Sequence, residues 1–230
     1  MNFDLTEEQQ LLADTARDVL SRSYDTESRN KVVQSELGWS RDVWRQLAEI
    51  GILGLGFEPE ESGQIEIMVV MTEIGRRLAP EPVAAAALIP GGVIAELGSE
   101  AQRALLDEVA AGEKLLALAH LEPGLRGSDA LATRATQQGD SWTVTGRKNP
   151  VLAGDSADVL VVTATLPGGG AGLFLVNADA TSRQPYRTFD GQRGAEIVFD
   201  GAAAEPLGEG GDAVDRIHAT LIRYSSALCA

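Results

Sequence analysis

A chain of 230 residues exceeds the roughly 150 of a typical domain, which sets two domains as the expectation, and 44% hydrophobic residues supply ample core material. A formal net charge of −15 opposes binding to nucleic acid or to an anionic membrane surface, while leaving room for a local basic pocket. The single Cys229 cannot form an internal disulfide, the acidic start Met1-Asn-Phe-Asp-Leu-Thr-Glu-Glu lacks the features of a signal peptide, and no apolar run reaches the ~20 residues of a membrane span. These points predict a cytoplasmic protein without nucleic-acid or membrane partners.

The first half reads as helical. Thr6 with Gln9 forms a capping box, followed by Leu11, Leu12, Ala16, Val19 and Leu20 at helical spacing. Ser40 is placed to cap a helix carrying Val43, Trp44, Leu47 and Ala48, which Gly51 ends in the left-handed conformation. An Ile65–Leu78 segment stops near Pro80 and Pro82, and an alanine-rich segment from Val83 is expected to break at Pro90-Gly91-Gly92. A second capping box, Ser99 with Gln102, starts a helix through Leu105, Leu106 and Val109 that closes at Gly112.

Near residue 115 the period shortens to that of strands. Lys114–His120 reads as a strand, and Ala130–Gln137 with Ser141–Thr145 reads as a hairpin across Gln138-Gly139-Asp140, with Trp142 and Val144 on one face. Val159–Thr165, Leu173–Val176 and Ile197–Phe199 add three more, without helix-length spacers, which points to an antiparallel sheet or small barrel and away from a Rossmann unit. Gly208-Glu-Gly-Gly211 is expected to be a flexible joint, after which Val214, Ile217, Leu221 and Leu228 resume a helical rhythm.

Isolated candidates have plain readings. Pro167–Gly172 lacks the Gly-Lys-Ser/Thr ending of a phosphate loop and is expected to connect a hairpin, and His120 and His218 have no partner at metal-ligand spacing, so no metal is expected. Glu58, Glu60 and Glu61 beside Pro59 read as an exposed loop, and Arg147 and Lys148 as solvated residues at a strand end.

Two segments carry more information. Ala117-Leu-Ala-His-Leu-Glu-Pro-Gly-Leu-Arg-Gly-Ser-Asp129 and Gly146-Arg-Lys-Asn-Pro-Val-Leu-Ala153 resemble the flavin-contacting segments A-x-T-E-P-x-x-G-S-D and G-x-K-x-W-I-T-N of the acyl-CoA dehydrogenase family. Collinear matches at Phe3–Gln10, Trp44–Gly51, Pro59-Glu-Glu, Glu73–Arg76 and Pro206–Gly210 extend the resemblance over essentially the whole chain. It implies an α+β fold: a helical domain over 1–115, a middle antiparallel β-barrel or sheet domain over 116–206, and over 207–230 a joint and the first helix of a truncated C-terminal helical domain.

The same resemblance places FAD at Leu121, Gly127, Ser128, Pro150 and Leu152, with Arg126 as an extra residue in the loop. Leu121 stands where the family has Thr, Pro150 where it has the Trp that lies against the flavin ring, and Leu152 where it has a second Thr. In this family a Glu takes the α-proton of an acyl-CoA thioester as hydride leaves the β-carbon for the flavin, giving the trans-2-enoyl-CoA. That base is expected beyond Ala230; in the branches that place it before an Arg on the final helix, the position here is Ile222, ahead of Arg223. No catalytic residue is therefore expected in this chain.

The implied partners are an acyl-CoA substrate and a homologous subunit. Some bacterial members form heteromers, notably on steroid side-chain CoA thioesters, in which one subunit type carries degraded sites. Two alternatives are a self-sufficient FAD-binding dehydrogenase using backbone donors, and a non-redox acyl-CoA-binding or scaffold protein.

Overall fold

The computed structural model describes residues 4–58, 63–124, 131–211 and 213–229. Helix α1 (Glu7–Ser23) starts at the Thr6/Gln9 capping box and buries Ala13, Ala16 and Leu20. Helix α2 (Thr26–Gln34) starts at a box formed by Asp25 and Ser28 and buries none of its residues, so no apolar rhythm announces it. Ser40 caps α3 (Arg41–Glu49), which inserts Val43, Trp44 and Leu47 into the core, and Gly51 takes its left-handed conformation at φ 79°. Helix α4 (Gln64–Arg77) lies against α1, where Glu73 accepts from Arg17 and Arg76.

The expected break at Pro90-Gly91-Gly92 does not occur. A π-helical turn at Ala84–Leu88 runs directly into α5 (Ile89–Leu97), and the Ile89 N–H bonds the Ala84 carbonyl, the wider i→i+5 spacing that accommodates a proline without ending the helix. The two glycines are packing positions: a Cβ on Gly91 would lie 2.3 Å from the Phe57 ring, and one on Gly92 would lie 2.9 Å from the Tyr224 hydroxyl. Two short helices, α6 (Glu100–Arg103) and α7 (Leu105–Ala110), follow from the Ser99/Gln102 box.

The β layer comprises β1 (Leu116–Ala119), β2 (Arg134–Gln138), β3 (Ser141–Leu152), β4 (Val159–Thr165), β5 (Ala171–Asn177), β6 (Ser182–Arg187) and β7 (Arg193–Gly211). Their order is β1-β4-β2-β3-β7-β5, and β5 also pairs with β4, so the middle strands close into a barrel with β6 added alongside β7. All pairings are antiparallel except β1 with β4 and the single β2–β4 contact at Arg134 and Thr165. The glycine-rich run expected to form a flexible joint is instead the end of β7, and α8 (Ala213–Leu228) begins just beyond it. Leu116, Val161 and Leu173 join the helical core, while Ala117, Val162 and Phe174 fill the barrel, so alternate residues of each strand serve two cores. Among the described residues no helix is long and apolar enough to cross a membrane.

Candidate functional site

Strand β1 ends at Ala119, and the following His120-Leu121-Glu122 passes beside β3, where the Asn149 N–H bonds the Leu121 carbonyl at 2.9 Å. This contact brings the two motif segments together. Strict alternation from buried Val144 places Gly146 and Lys148 on the same face, but the register against β7 then shifts between Lys148 and Val151. That bulge reverses the phase: Val151 is the buried residue, and Pro150 and Leu152 are turned the other way. The Tyr186 hydroxyl donates to Asn149 Oδ1 at 2.6 Å and holds the bulge in place.

Turned outward, Pro150 and Leu152 meet Leu121 and Leu118 on one side and Ala85, Ile89 and Leu221 of the helical layer on the other, around a cavity of about 220 Å³. His120 and Thr188 complete the lining. Leu121 is 52% and Leu152 41% exposed, so this cavity opens to solvent. Three of the five expected flavin positions are thus gathered in one wall; Gly127 and Ser128, with Arg126, lie outside the described residues, as do Glu60 and Glu61.

The described residues of this wall do not fit a flavin ring. Such a ring is held by stacking on an aromatic face and by donors aimed at its heteroatoms. Pro150 has neither an aromatic face nor an N–H, the side chains of Leu121 and Leu152 lack a donor, and the Asn149 N–H is spent on the Leu121 carbonyl. The Thr188 hydroxyl is engaged as well, donating to Asp190. Ile222, the alternative base position, is an apolar residue 69% exposed on α8.

Behind the wall lies a charged network that the sequence reading missed. Lys148 is 0% exposed, not solvated, and its Nζ donates to Glu122 Oε1 (2.7 Å), Thr163 Oγ1 (3.0 Å) and the His120 carbonyl (3.1 Å). Glu122 also accepts from the Ala132 N–H at 2.7 Å and the Thr133 N–H at 3.1 Å. The period-two rule was the available signal, since it sets Lys148 in phase with Val144. Arg147, on the opposite face, is exposed and lies 3.5 Å from Glu196.

Burial pulls the Lys148 ammonium down to about 8 despite Glu122. For Glu122, burial pushes upward, but Lys148, Thr133 and the Ala132 N–H outweigh it and hold the carboxyl below its ordinary range.

His120 connects this network to the cavity. Its Nδ1 lies 3.2 Å from Thr163 Oγ1, against 3.5 Å from that hydroxyl to the His120 carbonyl, so the single hydroxyl proton is assigned to Nδ1 and the ring proton to Nε2. The ring meets His218 of α8 edge to face at 5.9 Å. Burial, then Lys148 and His218, lower its pKa to about 4, so the imidazole is neutral near pH 7.

That depression has a sign. The unfolded chain takes up this proton near 6.5, before the folded chain does, so the stabilisation is complete above about pH 6.5 and is lost progressively as pH falls from there to about 4. The loss attributable to His120 is up to about 3 kcal/mol. Urea unfolding of the wild type at pH 7 and pH 4.5 is expected to reveal it, and His120→Gln should flatten the difference by most of that amount. An unchanged pH slope in the variant would assign the acid sensitivity elsewhere.

Comparison with known proteins agrees with this architecture. The family model described as acyl-CoA dehydrogenase, N-terminal domain, matches residues 6–113. Cyclohex-1-ene-1-carbonyl-CoA dehydrogenase of Geobacter metallireducens is 34% identical over 167 residues, covering 70% of this chain and 44% of that protein. A solved variant of the Tcur3481-Tcur3483 steroid ACAD has a TM-score of 0.85 at 31% identity, covering 96% of this chain and 61% of that one. The ChsE4-ChsE5 complex from Mycobacterium tuberculosis shares the fold, with a TM-score of 0.85 at 23% identity over 99% of this chain and 63% of that one. The chain spans about half the length of the curated relatives it matches. With its helical domain matched by the family model and its helical and β layers superposing on family structures, the chain belongs to the acyl-CoA dehydrogenase family.

Proposed function

We propose that this chain is a companion subunit of an acyl-CoA dehydrogenase, contributing its fold to an assembly with a homologous chain while its own flavin position stands vacated. The observation that carries this reading is the wall formed by Leu121, Pro150 and Leu152: three family flavin positions meet in space, and none offers an aromatic face or a side-chain donor. Two missing hydroxyls at about 1–3 kcal/mol each, and a missing ring stack at about 0.5–1.5 kcal/mol, weaken FAD binding by roughly a hundredfold or more.

The assembly's reaction is the α,β-dehydrogenation of an acyl-CoA thioester, of fatty-acyl or steroid side-chain type, to the trans-2-enoyl-CoA. The name of the Tcur3481-Tcur3483 steroid ACAD, which joins two designations, supports both the heteromer and the steroid class. The proton-abstracting carboxylate comes from outside residues 1–230, since Ile222 cannot serve as a base.

The test is a visible spectrum of the full-length protein purified alone and with its homologous partner. The lone protein is expected to be colourless, and the co-purified assembly to hold flavin and dehydrogenate acyl-CoA. Flavin near one per lone polypeptide would overturn the proposal.

A further inference from the structure

The cavity behind Leu121, Pro150 and Leu152 is not merely a poor flavin site. Its walls come from β1, β3, α5 with its preceding π turn, and α8, so it is framed by both layers of the fold rather than by one mobile loop. An apolar cavity of about 150 Å³ stays free of water and takes up one benzene. By that measure the roughly 220 Å³ here suits about a fused pair of rings, less than the three fused rings of a flavin.

The lining also defines the polarity of an occupant. Among the described residues no charged side chain lines the cavity: Lys148 lies behind the wall with its three donor bonds made to Glu122, Thr163 and the His120 carbonyl. An anionic head group would therefore lose its hydration without gaining a counter-charge. Thr188 already gives its proton to Asp190 and can only accept. His120 has Nδ1 against Thr163, and in the tautomer assigned above its Nε2–H has no hydrogen-bond partner among the described residues.

We propose that this cavity is a binding site for a small, uncharged, mainly apolar molecule of bicyclic size with one hydrogen-bond acceptor, such as a ketone carbonyl, received by His120 Nε2–H. The inference rests on the reading that no flavin ring fills this position. Burial places the apolar rings against Pro150, Leu118 and Leu221, and the imidazole sets the orientation.

The test uses the full-length protein, first by visible spectroscopy and then by titration calorimetry with three probes: α-tetralone, tetralin and naphthoate. Colourless protein is expected to bind α-tetralone about five- to tenfold more tightly than tetralin, the effect of one hydrogen bond, and to bind naphthoate more weakly than either. His120→Phe should bring the α-tetralone and tetralin affinities together. Ala85→Leu, which places a larger side chain in the helical wall, should reduce α-tetralone binding at least tenfold while a thermal melt shows the fold retained.

Flavin-coloured protein would overturn the companion-subunit reading and this inference with it. Colourless protein that gives no heat with α-tetralone, or that binds naphthoate as tightly as the ketone, would overturn this inference alone. Unchanged α-tetralone affinity in folded Ala85→Leu would also overturn it. The comparison of the three probes on wild-type protein decides the matter even if a variant does not fold.

Discussion

Lys148→Met is expected to lower the folding free energy by about 3–5 kcal/mol, the cost of breaking a buried ion pair from one side. Methionine preserves most of the stem volume, so the loss does not come from a cavity. It comes from Glu122, 7% exposed, whose carboxylate keeps, among the described residues, the Ala132 and Thr133 N–H donors once the ammonium is gone. Those two donors belong to Ala132 and Thr133, so the carboxylate ties Glu122 to the residues just ahead of β2. In the variant the Glu122 carboxyl should move upward, because burial already pushes it that way and Lys148 provides the foremost opposing pull. The stability deficit of Lys148→Met relative to the wild type should accordingly shrink as pH falls, because the folded variant takes up the Glu122 proton at a higher pH than the wild type does.

Urea unfolding of Lys148→Met, Glu122→Leu and the double variant provides the check. The double variant should recover a large part of the single losses, since no charge is then left unpaired. A Lys148→Met loss below about 1 kcal/mol, or additive losses in the cycle, would mean that the pair does not hold this part of the sheet.

The contrast between Thr6 and Lys148 indicates what could be read from the sequence. Thr6, Ser40 and Ser99 act on backbone groups three residues away, so their roles are written locally, and each caps the helix it announces. Gly91 and Gly92 are glycines because Phe57 and Tyr224 press on them from distant parts of the chain, and no local rule distinguishes that from a helix break. Strand β6 was missed because its residues are half-buried or exposed, giving no apolar alternation to detect. The gathering of Leu121, Pro150 and Leu152 was legible only through the family resemblance. The bulge that turns Pro150 and Leu152 outward depends on pairing with β7, and the Lys148 network depends on β4, supplied by Thr163.

Gly146→Ala is expected to cost about 3 kcal/mol or more, though it adds a single methyl group. Gly146 has φ +150°, and a Cβ built there would lie 2.6 Å from the Thr133 Cα and 2.8 Å from its Cβ. A backbone contact of that length cannot be relieved by turning a side chain, so Thr133 itself must move. Thr133 is pinned on both sides: its N–H donates to Glu122 Oε1 at 3.1 Å, and its carbonyl accepts from the Thr165 N–H at 2.9 Å. Displacing it therefore weakens a bond that holds the buried carboxylate, and the overpacking cost of about 1–3 kcal/mol is compounded by a lost hydrogen bond. Gly139→Ala isolates the other contribution, since that residue has φ +60° with nothing within 4 Å of the added carbon, and only the left-handed strain of roughly 1–2 kcal/mol applies. Denaturant midpoints of the two variants should differ clearly, with Gly146→Ala the less stable. Equal losses would show that the close approach of β3 to Thr133 is not what requires glycine there, and that backbone conformation alone sets the choice of residue.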